Sequence, residues 1–113
     1  MAEANQRLIV AISGASGAVY GITALRRLRE LKIESHLVVS RAAALSLNAE
    51  TDLTIGDLNA LADQVHKVGD IGATIASGSF RTLGMLVAPC SIKTMSEITT
   101  GVTSNLISRA ADV

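Results

Sequence analysis

The sequence predicts an α/β fold: a doubly wound parallel sheet in three layers, with helices on both faces. Three observations carry this. Short apolar runs of the buried-strand kind recur at Leu8–Ile12, Ile33–Val39 and Met85–Ala88. Each is followed by a stretch with helical apolar spacing. Strand and helix patterns therefore alternate along the chain, which is the signature of a parallel sheet and not of a meander.

The first run, Leu8–Ile12, leads straight into Gly14, Gly17 and Gly21, with Ser13 and Ser16 among them. Ala18, Ile22, Leu25 and Leu28 then mark a helix from Gly17 to about Leu31. A strand, a tight glycine turn and a helix N-terminus form a combination suited to anions. Glycine lets the backbone approach a ligand, and the first N–H groups of a helix have no intrahelical partner. The helix dipole adds partial positive charge at the same place. The turn thus points to a phosphate-bearing ligand over Ser13–Gly17. A purely structural turn, packed closely through its small residues, is the competing reading.

The second run ends at Ser40, where a parallel sheet presents ligand-binding groups. Ser40 also suits the N-cap of a helix over Arg41–Asn48. His36, inside the run, reads as a packing residue in preference to a catalyst. Glu50, Thr51 and Asp52 follow the helix, and such carboxylates serve either acid/base chemistry or loop solvation. Thr54–Asp63 reads as a short amphipathic helix, with Thr54 and Asp57 at capping-box spacing. Val65–Val68 reads as a short strand, His66 as a surface residue, and Asp70–Ile75 as a helical turn. Ser77–Ser79 and Phe80 form a loop of small residues able to line a pocket.

The third run closes at Pro89. Cys90, Ser91, Ile92, Lys93 and Thr94 then lead into a helix carrying Met95 and Ile98. This repeats the first turn, with Ser91 as N-cap and Lys93 as a cation beside an anion site. Cys90 reads as a small residue at a strand end, with no evident partner to activate it. Gly101 breaks the chain, and a last helix from Ser104 bears Arg109.

Composition narrows the function classes. Length suits one domain, and 49% hydrophobic residues supply a core. Ten basic and ten acidic residues cancel, so no broad field draws nucleic acid or an acidic membrane. Tyr20 and Phe80 are the only aromatics, which argues against a base-stacking surface. The single cysteine makes no internal disulfide, and no metal-ligand spacing is present. MAEANQ lacks signal-peptide character, so a soluble cytoplasmic protein is the expectation.

The motifs ISGASGAVYG (Ile12–Gly21), HLVVSRAA (His36–Ala43), ETD (Glu50–Asp52), SGSF (Ser77–Phe80), PCSIKT (Pro89–Thr94) and SRAADV (Ser108–Val113) occur together and in this order. In this the sequence resembles the UbiX-like flavin prenyltransferases, formerly described as aromatic-acid or 3-polyprenyl-4-hydroxybenzoate decarboxylases. The resemblance implies a flavodoxin-like sheet that binds FMN. It implies transfer of a dimethylallyl group from dimethylallyl phosphate to the N5 and C6 positions of reduced FMN, without a metal. The prenylated FMN would serve a UbiD-type decarboxylase, in pathways such as ubiquinone biosynthesis. By motif match, Gly14, Ala15 and Ser16 would hold the FMN phosphate region. Ser40, Ser91, Ile92, Lys93, Thr94 and Arg109 would complete the flavin site, and Ser16 and Glu50 would lie at the transferring prenyl phosphate. The family pattern continues beyond RAADV with a further strand and prenyl-phosphate ligands. Residues 1–113 are thus expected to be the N-terminal part of a longer flavin-binding domain, cut after the third main strand and its helices. On that expectation they bind FMN without efficient prenylation. The resemblance also suggests a homo-oligomer, as do the apolar surplus and the thin sheet.

Two other classes stay open on the residues. ISGASG also resembles a dinucleotide turn, and Arg41 after the second strand suits a 2′-phosphate, which would make the chain an NAD(P)-dependent reductase. That fingerprint, however, wants G-x-G-x-x-G and an acid after strand two. A flavin-dependent cysteine decarboxylase is a related possibility. The remaining alternative is a catalytically incomplete flavin-binding protein.

Overall fold

The computed structural model describes residues 6–14, 17–70, 73–77 and 80–113. In chain order the elements are β1 (Arg7–Ile12), α1 (Ala18–Glu30), β2 (Glu34–Val39), α2 (Arg41–Glu50), α3 (Ile55–Ala60), β3 (Gln64–His66), a 3₁₀ turn (Thr74–Ala76), β4 (Met85–Val87), α4 (Ile92–Thr100) and α5 (Leu106–Asp112). The sheet runs β3-β2-β1-β4 with every pair parallel. Growth goes from β1 outward through β2 and β3, then returns to the other edge of β1. The strand order therefore reverses between β1 and β4.

Alternation along β1 and β2 splits the core into two layers. Val10, Ile12 and Leu37 face α1, α2 and α3, where Ile22, Leu25, Leu47 and Leu58 are buried. Ile9, Ala11 and Val38 face the opposite side, against Ile75, Leu106, Ile107 and Ala110. Strands covered on both faces read as near-continuous apolar runs, and Leu8–Ile12 carries no polar residue. The three-layer arrangement expected from the alternation is thus present.

Local chemistry sets the element ends. Helix α2 runs through Glu50, two residues further than expected, because Thr51 turns back onto it. The Thr51 N–H and hydroxyl both donate to the Leu47 carbonyl, at 2.9 and 3.0 Å. Helix α3 is shorter than its amphipathic pattern. Leu61 and Ala62 close it with i→i−3 bonds to Leu58 and Asn59. Its capping box forms as spaced: the Thr54 N–H donates to Asp57 Oδ2 at 3.0 Å, and the Asp57 N–H to Thr54 Oγ1 at 3.1 Å. The Thr54 N–H, helped by the Thr54 hydroxyl, holds the Asp57 carboxyl below its ordinary range. Gly101 ends α4 in the left-handed region, at φ 77°. The short strand expected at Val65–Val68 forms as β3 at Gln64–His66, and the third main strand, expected at Met85–Ala88, forms as β4 at Met85–Val87. Part of the turn expected at Asp70–Ile75, and Gly78 and Ser79 of the small-residue loop, lie outside the described residues.

Helix α1 approaches β4 closely. A Cβ on Gly21 would come within 2.5 Å of the Ala88 carbonyl oxygen and 2.6 Å of Ile12 Cδ1. Backbone cannot retreat as a side-chain tip can, so the position excludes even a methyl group. Gly21→Ala should lower stability by about 1–3 kcal/mol, read as a lower urea midpoint with an unchanged slope.

His36 behaves as a satisfied core residue. It is 4% exposed, with Nε2 at 2.6 Å from Glu34 Oε2 and Nδ1 at 2.9 Å from His66 Nε2. Glu34 also pairs with Arg7 at 3.3 Å, and the Arg7 guanidinium lies 4.5 Å from the centre of the Phe80 ring. His66 is not the plain surface residue that its sequence context suggests: its ring stacks on His36 at 5.2 Å. Burial, reinforced by His36 and partly opposed by Asp70, holds the His66 imidazole below its ordinary value of 6.5. The fold thus favours the neutral ring, and the unfolded chain takes up the extra proton. Stability contributed here is complete above about pH 6.5 and is lost as pH falls through the folded-state value. The urea midpoint should therefore drop on acidification below about pH 6.5, and His66→Gln should flatten that part of the profile.

Candidate functional site

The turns after β1 and β4 are joined at the point where the strand order reverses. The Ser13 N–H and the Ser13 hydroxyl both donate to the Pro89 carbonyl, at 3.1 and 2.8 Å. The Ser91 N–H donates to Ser13 Oγ at 2.6 Å. Ser91 then caps α4: its Oγ accepts the Thr94 N–H at 3.1 Å and donates to Thr94 Oγ1 at 3.0 Å. Ser40 caps α2 in the same way, accepting the Ala43 N–H at 3.1 Å. Both serines expected at strand ends thus serve as N-caps, and both also border the cavity described next.

That cavity has a volume of about 600 Å³ and opens at the carboxyl ends of the strands. Gly14 borders it after β1; Ser40, Arg41 and Ala42 after β2; Val68 and Gly69 after β3; Ser91, Lys93 and Thr94 after β4. Ser104 and Asn105, at the start of α5, complete the wall. Open α/β sheets bind ligands in this crevice, at the switch point. Arg41 and Lys93 bring positive charge to two walls, and among the described residues none that lines the cavity is acidic. The arrangement suits an anion.

Close approach shapes the cavity. A Cβ on Gly14 would lie 2.6 Å from Ala42 Cβ, so only glycine lets the β1 turn meet the start of α2. The Leu106 N–H donates to the Val68 carbonyl at 2.8 Å, which ties the loop after β3 to α5. Asn105 caps α5, accepting the Ser108 N–H at 3.2 Å. The Ser104 hydroxyl donates to Glu97 Oε1 at 2.7 Å and holds that carboxyl below its ordinary range. This bond links α4 to α5 across the cavity rim.

Of the residues expected at the site, the cavity gathers Gly14, Ser40, Ser91, Lys93 and Thr94. Ile92 is 83% exposed and does not border it, and neither does the exposed Arg109. Ala15 and Ser16 lie outside the described residues. Glu50 stands at the N-terminus of α1, where its Oε1 accepts the Gly17 N–H at 2.7 Å and the Ala18 N–H at 3.4 Å. Gly17 sits at φ 106° and has no side chain to cap the helix, so a carboxylate from α2 does so. Sequence reasoning missed Ala42, Val68, Gly69, Ser104 and Asn105 as wall residues, and weighed Arg41 only for a dinucleotide. The strand-end rule could have found Val68 and Gly69. Ser104 and Asn105 reach the cavity only through the packing of α5.

Cys90 is half-buried, with Sγ 3.6 Å from the Ser91 carbonyl oxygen. Among the described residues, no group of three or more His, Cys, Asp or Glu is placed to hold a metal ion, and no helix is long and apolar enough to cross a membrane. Removing the Glu50 cap should be measurable. Glu50→Ala should cost about 0.5–2 kcal/mol in urea unfolding, and Glu50→Gln, which keeps an acceptor, should cost less.

Known proteins share this architecture. Flavin prenyltransferase UbiX of Escherichia coli (strain K12) is 55% identical over 109 residues, which cover 96% of this chain and 58% of that protein. Flavin prenyltransferase UbiX of Thauera aromatica is 51% identical over 107 residues, covering 95% and 55%. The crystal structure of AnUbiX (PadA1) in complex with FMN and dimethylallyl pyrophosphate matches with a TM-score of 0.95 at 47% identity, over 96% of this chain and 58% of that one. A dodecameric FMN-dependent UbiX-like decarboxylase from Escherichia coli O157:H7 matches with a TM-score of 0.92 at 47% identity, over 95% and 58%. The sheet is thus of the flavodoxin-like kind found in UbiX. The chain spans a little over half the length of these relatives. Residues 2–113 match the Flavoprotein family model, and the chain belongs to that family.

Proposed function

We propose that the cavity binds FMN and that the chain serves flavin prenylation. In that reaction a dimethylallyl group passes from dimethylallyl phosphate to reduced FMN, and the product goes to a UbiD-type decarboxylase. The observation that carries this reading is the cavity at the switch point, with a glycine cradle, two N-capping serines and two cations on its walls. Its chemistry fits the ligand. Ala42, Val68 and Gly69 offer small or apolar contact to a flat ring system, while Ser40, Arg41, Lys93 and Thr94 offer donors and charge to a phosphate. Gly14 meets Ala42 so tightly that a Cβ would close that part of the cradle.

Gly14, Ala15 and Ser16 would hold the phosphate region of the flavin. Ser40, Ser91, Lys93 and Thr94, which border the cavity, would complete its site there; Ile92 and Arg109 do not border it. When bound, reduced flavin supplies the nucleophilic ring atoms that accept the prenyl group. Breaking the allylic C–O bond leaves phosphate, so the chain must stabilise growing negative charge. Lys93 and Arg41 bring compensating positive charge to the cavity walls. Ser16 would donate to the transferring phosphate, and Glu50 would take the proton that the flavin ring gives up as the new bond to the prenyl carbon forms.

The same reading includes self-association. Ile92 and Met95 on α4 and Tyr20 on α1 are 83%, 54% and 69% exposed, an apolar surface suited to a second copy.

The purified protein should show absorbance bands of oxidised flavin after incubation with FMN. Lys93→Ala should weaken FMN binding about 10- to 100-fold, as expected for losing a charge-assisted contact, with the fold intact by circular dichroism. A protein that takes up NADPH and no flavin would instead favour the reductase reading, to which Arg41 on the cavity wall lends support.

A further inference from the structure

Ser13 is 1% exposed and does not border the cavity, yet its hydroxyl makes two of the hydrogen bonds through which the two ligand-facing turns meet. We propose that Ser13 is a positioning residue: its buried hydroxyl sets the spacing between the β1 turn and the N-terminus of α4, so that both face one anionic group. This rests on the reading of the cavity as a flavin phosphate site.

The regular ladder between β1 and β4 ends where the Ala88 N–H donates to the Ala11 carbonyl at 2.9 Å. Pro89 has no N–H to continue it. One step on, the Ser13 N–H donates to the Pro89 carbonyl at 3.1 Å, and the next donor from the β4 side is the Ser91 N–H. That N–H goes to the Ser13 side-chain oxygen at 2.6 Å and not to a backbone carbonyl. A hydroxyl has one proton to donate and lone pairs to accept. Ser13 uses the proton on Pro89, at 2.8 Å, and a lone pair on Ser91. A side chain thus extends the ladder by one rung, while the β1 backbone leaves the sheet toward Gly14. Ser91 is in turn fixed as the cap of α4 and orients Thr94, which borders the cavity. Ser13 therefore acts on the ligand only through Ser91 and Gly14.

Without the hydroxyl, the Ser91 N–H loses its acceptor, and of the described bonds between the two turns only that from the Ser13 N–H to the Pro89 carbonyl remains. Binding of the phosphate, which needs both turns, should then suffer more than binding of the ring. The test compares FMN with riboflavin, which lacks the phosphate, in fluorescence titrations of wild type, Ser13→Ala and Ser13→Thr. Ser13→Ala should lose about tenfold or more in FMN affinity with riboflavin nearly unchanged, and Ser13→Thr, which keeps the hydroxyl, should recover FMN binding. General destabilisation would weaken both ligands alike, and that result, or an unchanged FMN affinity in Ser13→Ala, would overturn the proposal. Should wild type bind neither flavin, the flavin reading fails on its own, and Ser13 is judged by hydrogen exchange with inorganic phosphate as probe. Phosphate should then slow exchange at the Ser91 and Thr94 amides in wild type and not in Ser13→Ala; equal protection, or none in wild type, would overturn the positioning role.

Discussion

Everything in this molecule depends on β1 being hydrogen-bonded along both edges and buried on both faces. Backbone donors and acceptors so enclosed need partners, and β2 and β4 supply them in register. Full burial of each large aliphatic side chain contributes about 1.5–3 kcal/mol, and Val10 and Ile12 on one face with Ile9 on the other are at most 4% exposed. The same enclosure leaves no polar side chain from Leu8 to Ile12. Ser13 is the first residue past it that can carry a hydroxyl, and even there the hydroxyl is buried and paired. Polar groups therefore collect where the strands end.

The helices inherit this geometry. Ser40, Ser91 and Asn105 each cap a helix, and each borders the cavity. A cap answers one orphan amide and fixes where its helix starts. Here it also fixes where the helix points. Capping and site formation are one device: the small polar residue that starts the helix is the one left beside the crevice. Helix α1 departs from this pattern, because Gly17 has no side chain and a carboxylate from α2 takes its place.

Much of this was legible in the sequence, for physical reasons. The runs of β1 and β2, the glycine turn, the Thr54–Asp57 capping box and the serines at strand ends are local signals, each set by a few neighbouring residues. The bounds of α2 and α3 were not, since they depend on Thr51 folding back to Leu47 and on the tightening at Leu61 and Ala62. The stacking of His66 on His36 needs β3 to pair with β2, which no local pattern encodes. Likewise, Ser104 and Asn105 join the cavity only because Leu106 hydrogen-bonds to Val68. The helix expected after Pro89 to carry Met95 and Ile98 forms as α4 and packs on α5, but it leaves Met95 54% exposed.

The capping pattern bears on where an anion would be held. A helix N-terminus contributes only about 0.3–1 kcal/mol to a nearby negative charge when exposed, and at α1 the Glu50 carboxylate already occupies the Gly17 and Ala18 amides. In α2 and α4 the caps answer only the amides of Ala43 and Thr94. The Ala42 and Lys93 amides belong to first turns that leave them without intrahelical partners, and both residues border the cavity. A hydrogen bond to a charged group contributes about 1.5–3 kcal/mol, more than the dipole alone, and Arg41 and Lys93 add full charges on the same two helices. The balance draws an anionic group toward the gap between α2 and α4, with the β1 glycine turn as its floor. In this arrangement Glu50 fixes the start of α1 and keeps a carboxylate beside the turn, while α2 and α4 supply the attraction.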